Sequence, residues 1–128
     1  MSYEYAIDSY AWIEYFKGTK PGSLVRSYIE GDRAATSALT FAELREKYLR
    51  EKWKSFPEDS QFIAARTTVV PLSRSIALLA GELNHLRKRA VRDWGMADSV
   101  IPATARSESA KVVTGDAHFK GLPDAILV

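Results

Sequence analysis

Four carboxylates in this chain could do chemistry together: Asp8, Glu43, Asp98 and Asp116. Asp8 ends a short strand-like run, Tyr3-Glu4-Tyr5-Ala6-Ile7, and Ser9 after it leads into apolar residues at helical spacing, Ala11, Trp12, Tyr15 and Phe16. Glu43 and Asp98 each fall in the expected first turn of a helix, and Asp116 comes two residues past a short β-branched run in Thr114-Gly115-Asp116-Ala117-His118-Phe119. Clustered carboxylates repel and raise one another's pKa unless a cation neutralises them. Hard divalent cations such as Mg²⁺ or Mn²⁺ suit oxygen ligands and keep several waters. Two such ions, about 3.5–4 Å apart, can activate water and stabilise a leaving oxygen in phosphodiester hydrolysis. Each acid also has an ordinary use. Asp8 can cap the helix that follows it, Glu43 can close a Thr40-x-x-Glu43 capping box, Asp98 can face a helix dipole, and Asp116 can serve the turn beside Gly115.

The elements that would hold these acids follow from periodicity and punctuation. The first helix should end near Gly18, with Thr19-Lys20-Pro21-Gly22 as a turn, and a second should span Ser23–Glu30 with Gly31 as a left-handed cap. Residues 33–39 read as a brief extended segment. Thr40-Phe41-Ala42-Glu43 opens a helix over Phe41–Lys54, and Ser55-Phe56-Pro57-Glu58 restarts a shorter one to about Ala65. Thr67–Leu72 (TTVVPL) reads as a buried strand. Ser73 caps a helix with Ile76, Ala80, Leu83, Leu86 and Ala90 at helical spacing, ending before Gly95. Met96–Ser107 is a further helix, Lys111–Thr114 a strand and Ala125–Val128 a last short strand. Alternation of strands and helices along the whole chain predicts an α/β fold, a mainly parallel sheet with helices on both faces, in one domain spanning 1–128. In such sheets ligands bind at the carboxyl ends of the strands, where all four acids fall.

The 128 residues suit one ordinary globular domain, and the absence of cysteine excludes a disulfide framework, thiolate zinc sites and cysteine nucleophiles. The N-terminal residues lack the pattern of a signal peptide, and no apolar run reaches the ~20 residues of a membrane span, so the expected compartment is the cytoplasm. A net charge of +2 does not by itself indicate nucleic acid.

Four stretches resemble one family, in its order and at its usual spacing. They are Ile7-Asp8-Ser9 with Trp12-Ile13; Ser37-x-x-Thr40-x-x-Glu43-Leu44; Ala97-Asp98-Ser99-Val100-Ile101 with Ala103-Thr104-Ala105; and Val112-Val113-Thr114-Gly115-Asp116-x-His118-Phe119. They are similar to PIN-domain ribonucleases, and above all to VapC-type toxins of toxin–antitoxin pairs. The resemblance implies a three-layer α/β/α domain and a Mg²⁺- or Mn²⁺-dependent endoribonuclease using one or two ions. Asp8, Glu43, Asp98 and Asp116 would be its acidic quartet, and Thr114 would orient an acid or a water beside them. It also implies an RNA substrate, a homodimer and a cognate antitoxin lying across a groove near the site. Two alternatives remain open: the same nuclease acting in RNA processing without an antitoxin, and a catalytically silent module that binds RNA or protein. A receiver-type phosphoacceptor would need an acidic pair after the first strand, which Asp8-Ser9 does not supply. Pro102 departs from the family's usual small or aliphatic residue; it removes a donor for the Asp98 carbonyl and is expected to disturb that turn.

Other candidates have both functional and ordinary readings. His118 lies near the expected site, and His85 sits in the polar part of a helix. Arg87-Lys88-Arg89 with Arg92 could touch RNA phosphates or form a solvated face. Trp12, Tyr15, Phe16, Tyr28 and Trp53 are more aromatics than a small core usually hides, which points to a groove or interface.

Overall fold

The computed structural model describes residues 2–128. Its elements follow one another as β1 (Tyr5–Ile7), α1 (Ser9–Lys17), α2 (Lys20–Glu30), β2 (Ala34–Ser37), α3 (Ala38–Glu51), α4 (Phe56–Arg66), β3 (Thr68–Val70), α5 (Arg74–Arg87), α6 (Met96–Arg106), β4 (Lys111–Thr114), a 3₁₀ turn at Ala117–Phe119 and β5 (Ala125–Leu127). The five strands form one sheet in the order β3-β2-β1-β4-β5, and every pairing is parallel. The chain therefore works outward from β1 in one direction, then returns to β1's other side. Tyr5 pairs with Lys111 there, and Ile7 with Val113.

Alternation along the strands divides the core into two layers. Ile7, Ala34 and Val113 pack against Trp12, Val25, Ile29, Leu44, Tyr48 and Ile63 of α1–α4. Ala6, Ala35 and Val112 face the opposite way, onto Ile101 and Ala105 of α6 together with Trp94 and Phe119. Alanines in β1 and β2 let α6 lie close to the sheet. Ile76, Ala80 and Leu83 fix α5 against Val100 and Ala103 on the outer side of α6. Expected and observed architecture agree: α/β, three layers, a parallel centre.

Several local expectations are corrected. The second helix starts at Lys20, because Thr19 caps it by accepting the Gly22 amide and Pro21 suits the first turn, where its missing N–H costs nothing. Gly22 is buried where α2 meets α1; a Cβ there would collide with the Glu14 carbonyl. Gly31 is not left-handed (φ −80°), and Asp32 takes that conformation instead (φ 59°), whereas Gly18 caps α1 at φ 68° as expected. The Thr40–Glu43 capping box does not form. Ser37 caps α3 by accepting the Leu39 amide, the helix begins at Ala38, and the buried Thr40 hydroxyl has no partner among the described residues. The TTVVPL strand is short and lies at the sheet's edge, with Val69 43% exposed. The helix α5 ends at Arg87, and Leu86 faces solvent. The helix α6 runs unbroken through the buried Pro102.

Trp12, expected near a groove, is fully buried. Its indole N–H donates to Thr36 Oγ1 at 3.2 Å; that hydroxyl meets Thr67 Oγ1 at 2.8 Å, and Thr67 donates on to the Ile63 carbonyl. The relay ties α1, β2 and α4 through groups that would be costly to bury unpaired. Tyr15 and Phe16 keep partial exposure and pack with Phe62 in an aromatic cluster.

Candidate functional site

The sheet order reverses between β1 and β4, and their carboxyl ends open a crevice of the kind in which parallel sheets bind ligands. Asp8 and Thr114 stand at those two ends. Glu43 arrives from the second turn of α3 and Asp98 from the first turn of α6, because helices in this fold run back against their strands. Asp8, Glu43, Asp98 and Asp116 all line one cavity of about 250 Å³, whose walls are completed by Ser9, Tyr10, Ile13, Ala97, Ile101 and Phe119. Every acid singled out in the sequence is in this pocket.

Each acid is oriented by a named donor. Asp8 Oδ1 caps α1 by accepting the Ala11 amide at 2.8 Å, and the nearby Thr114 hydroxyl favours the charged form of the same carboxyl. The Thr114 oxygen in turn accepts the Asp116 amide at 2.9 Å. Glu43, freed from any capping role, has the Ser9 hydroxyl beside it, which favours its charged form. Asp98 Oδ2 accepts the Gly95 amide at 2.9 Å. Asp116 Oδ1 accepts the His118 amide at 2.9 Å and lies 2.8 Å from His118 Nδ1. Asp8 and Asp98 thus do serve their helices as well as facing the pocket. The two uses are compatible, since one oxygen suffices for the cap.

Electrostatics mark the pocket as short of positive charge. Burial pushes the Asp8 carboxyl up to about 7; the Thr114 hydroxyl and the Ala11 amide oppose this, and Asp116 and Glu43 add repulsion. Glu43 is likewise pushed up to about 7, first by burial and then by Asp98, with the Ser9 hydroxyl opposing. A hard cation would relieve both. Yet among the described residues no three acids or histidines stand close enough to form a ready-made ligand set. An all-oxygen pocket of this kind suits an ion that retains waters and takes one or two carboxylates directly, as Mg²⁺ does.

Some supporting residues were not identified from sequence. Ser9 carries no site role in the sequence reading, although its position beside Asp8 on a helix start is the available signal. Gly115 is needed for close approach: a Cβ there would strike the Tyr10 ring at the pocket mouth. Arg87 was grouped with a possible RNA-contacting run, but its guanidinium donates to the carbonyls of His118 and Lys120, each at 2.8 Å, and lies 4.8 Å from the Trp94 ring centre. It clamps the Asp116 loop to the end of α5. His85 is exposed and pairs with Arg89.

Comparisons with known proteins bear on the fold. In the solved toxin–antitoxin complex from Klebsiella pneumoniae, a chain superposes with a TM-score of 0.77 at 18% identity, over 96% of each chain. VapBC2 from Rickettsia felis, bound to a DNA fragment from its promoter, gives 0.75 at 21%, over 97% of this chain and 96% of that one. Mycobacterium tuberculosis VapC20, a sarcin–ricin loop cleaving toxin, gives 0.75 at 14%, over 98% of both. A search of curated proteins finds no match. The family model described as "PIN domain" matches residues 5–125, from the first strand into the last, and this chain belongs to the PIN domain family.

Proposed function

We propose that this chain is a divalent-metal-dependent endoribonuclease and the toxin of a toxin–antitoxin pair. The observation that carries the reading is the convergence of Asp8, Glu43, Asp98 and Asp116 on one pocket at the β1–β4 switch point. The likeness to toxin–antitoxin complexes, and to a toxin that cleaves the sarcin–ricin loop, supports the choice of RNA and of an antitoxin partner.

The four acids would hold one or two Mg²⁺ or Mn²⁺ ions, with Thr114 orienting the acids beside it. Such an ion, when bound, supplies positive charge for the phosphate and a water of lowered pKa. The residues do the positioning. Thr114 and the Ala11 amide hold Asp8, Ser9 holds Glu43, the Gly95 amide holds Asp98, and His118 holds Asp116. Attack by water leaves a 5′-phosphate and a 3′-hydroxyl. Attack by the RNA 2′-hydroxyl would need an acid–base pair of another kind. His85 and His118, the chain's two histidines, are engaged with Arg89 and Asp116.

The antitoxin's place is the groove between α1 and α3. It leaves the acidic pocket past Tyr10 and Ile13, then widens over Phe16, Tyr48 and Trp53. An amphipathic segment can lay its apolar face there and extend a basic side chain into the acids. A homodimer belongs to the same reading, and the exposed Val69 and Leu72 beside the edge strand offer it an apolar surface.

The test is incubation of the purified protein with total RNA, with and without Mn²⁺, followed by mapping of new 5′ ends and their chemistry. Mn²⁺-dependent cuts bearing 5′-phosphates are expected; cyclic-phosphate ends or metal-independent cutting would overturn the mechanism. Co-expression with the product of an adjacent small gene and a sizing column test the antitoxin and the dimer.

A further inference from the structure

An acidic pocket that acts on a polyanion repels its own substrate, so cations must hold the nucleic acid nearby. The two flanks of the pocket differ in their capacity for this. On the α1–α3 flank the recess next to the pocket is lined by Lys17 and Lys47 but also by Glu14 and Glu51, two charges of each sign. Lys47 is moreover paired with Glu51. On the opposite flank, residues 87–93 and 117–121 carry five cations, Arg87, Lys88, Arg89, Arg92 and Lys120, against the single acid Asp93. Lys88, Arg89, Arg92 and Lys120 are exposed, and among the described residues none of these four pairs with a carboxylate.

Arg87 makes this cluster part of the site. By bonding the carbonyls of His118 and Lys120 it fixes the end of α5 to the loop that carries Asp116, and its stacking on Trp94 holds the 88–93 turn against the same unit. Trp94 packs edge-on against Phe119, a wall of the acidic pocket. The cations are thereby held on an anchored rim.

The geometry points to this rim, Lys88, Arg89, Arg92 and Lys120, as the surface that grips the phosphates of single-stranded RNA flanking the cleaved bond. RNA enters the pocket from the α5 side and leaves the charge-balanced α1–α3 groove to a protein partner. This rests on the nuclease reading above and adds to it a direction for the substrate.

The experiment compares two sets of neutral substitutions, Lys88→Gln/Arg89→Gln/Arg92→Gln/Lys120→Gln on the rim and Lys17→Gln/Lys47→Gln on the other flank. Binding of a labelled single-stranded oligoribonucleotide is measured in EDTA across a salt series, and cleavage is followed separately with Mn²⁺. The rim variant should melt like the parent, since its side chains are exposed and Arg87 is untouched. It should bind at least about tenfold more weakly near 0.1 M salt, and its log K against log[salt] slope should flatten by about 2–3, from roughly 0.7 per lost phosphate contact. Its KM should rise while kcat stays unchanged. The Lys17/Lys47 variant should keep the parent's affinity and slope. A rim variant that binds and cuts RNA like the parent overturns the inference and leaves the nuclease reading standing. A larger loss in the Lys17/Lys47 variant, or tighter binding of a DNA duplex of the same length than of RNA, also overturns it. If the parent protein neither binds nor cuts RNA, both readings fall.

Discussion

The Thr114 hydroxyl oxygen accepts the amide of Asp116 at 2.9 Å, and the same hydroxyl favours the charged form of Asp8 just past the end of the adjacent strand. One buried hydroxyl thus sets two acids from opposite sides of the switch point, and its proton opposes the rise in Asp8's pKa. Thr114→Val keeps the shape and removes the hydroxyl that serves both acids. Activity should fall about 10–100-fold, as for other residues that orient metal ligands, and Thr114→Ser should recover most of it. Cleavage rates at saturating and limiting Mn²⁺ check this. Equal activity in Thr114→Val would remove the residue from the site.

Asp8→Asn and Asp98→Asn should each abolish cleavage while the metal-free protein melts at the same or a higher temperature. An asparagine oxygen can still accept the Ala11 or Gly95 amide, so the caps survive, and one repelling charge is gone. Active-site groups often cost stability in this way. Wild-type cleavage by both purified variants would show that the pocket is not the catalytic centre.

Asp8 and Glu43 titrate near 7 in the folded chain, against 3.8 and 4.5 for the ordinary side chains. The folded state therefore holds more protons than the unfolded one between those values, and stability falls as pH rises through the interval. Their contribution is complete below pH 4 and lost above about 7. Urea unfolding in EDTA should show a decline on the order of 2–4 kcal/mol from pH 4 to 8, most of it from the deeply buried Asp8. The slope should be shallower in Asp8→Asn, and Mn²⁺ should restore stability most at the alkaline end. A parent and an Asp8→Asn variant with the same pH profile would contradict the assignment.

Much of the frame was legible because local signals and tertiary structure agree. Gly18 and Ser73 mark the ends they were expected to mark, and the β-branched Lys111–Thr114 run is a strand. The four acids could be placed because each lies within a few residues of a strand end or a helix start. What failed were choices between neighbouring signals. Thr40-x-x-Glu43 matches a capping box, but Ser37 lies at the actual chain bend and takes the cap, which moves Glu43 a turn along and aims it at Ser9. Thr19 takes the cap of α2 ahead of Ser23 for the same reason. Arg87 looks like any residue of a basic run, and its two carbonyl partners lie more than thirty positions away. Trp12 reads as surplus until Thr36 is seen to satisfy its indole.

Two glycines that look alike in sequence should respond oppositely to alanine. At Gly22 a Cβ would strike the Glu14 backbone where α1 and α2 cross, so Gly22→Ala should cost about 2–3 kcal/mol. At Gly81, inside α5, nothing lies within 4 Å of the added methyl, and Gly81→Ala should gain about 0.5–1 kcal/mol from helix propensity and a less flexible unfolded chain. Chemical denaturation of the two variants decides the point. Equal effects would place the α1–α2 crossing elsewhere.

The pairing of Tyr5 with Lys111 joins the first strand to one more than a hundred residues later. Contacts of such separation are slow to form, because a long loop must close before the contact rewards it. Asp8 and Thr114 become neighbours only when that seam closes. The proposed active site is thus a late-forming part of the fold, completed only with the β1–β4 edge. In refolding from urea, RNA cleavage should return only with the slowest native signal. Activity that precedes it would mean that the acids can meet without the central strand pair.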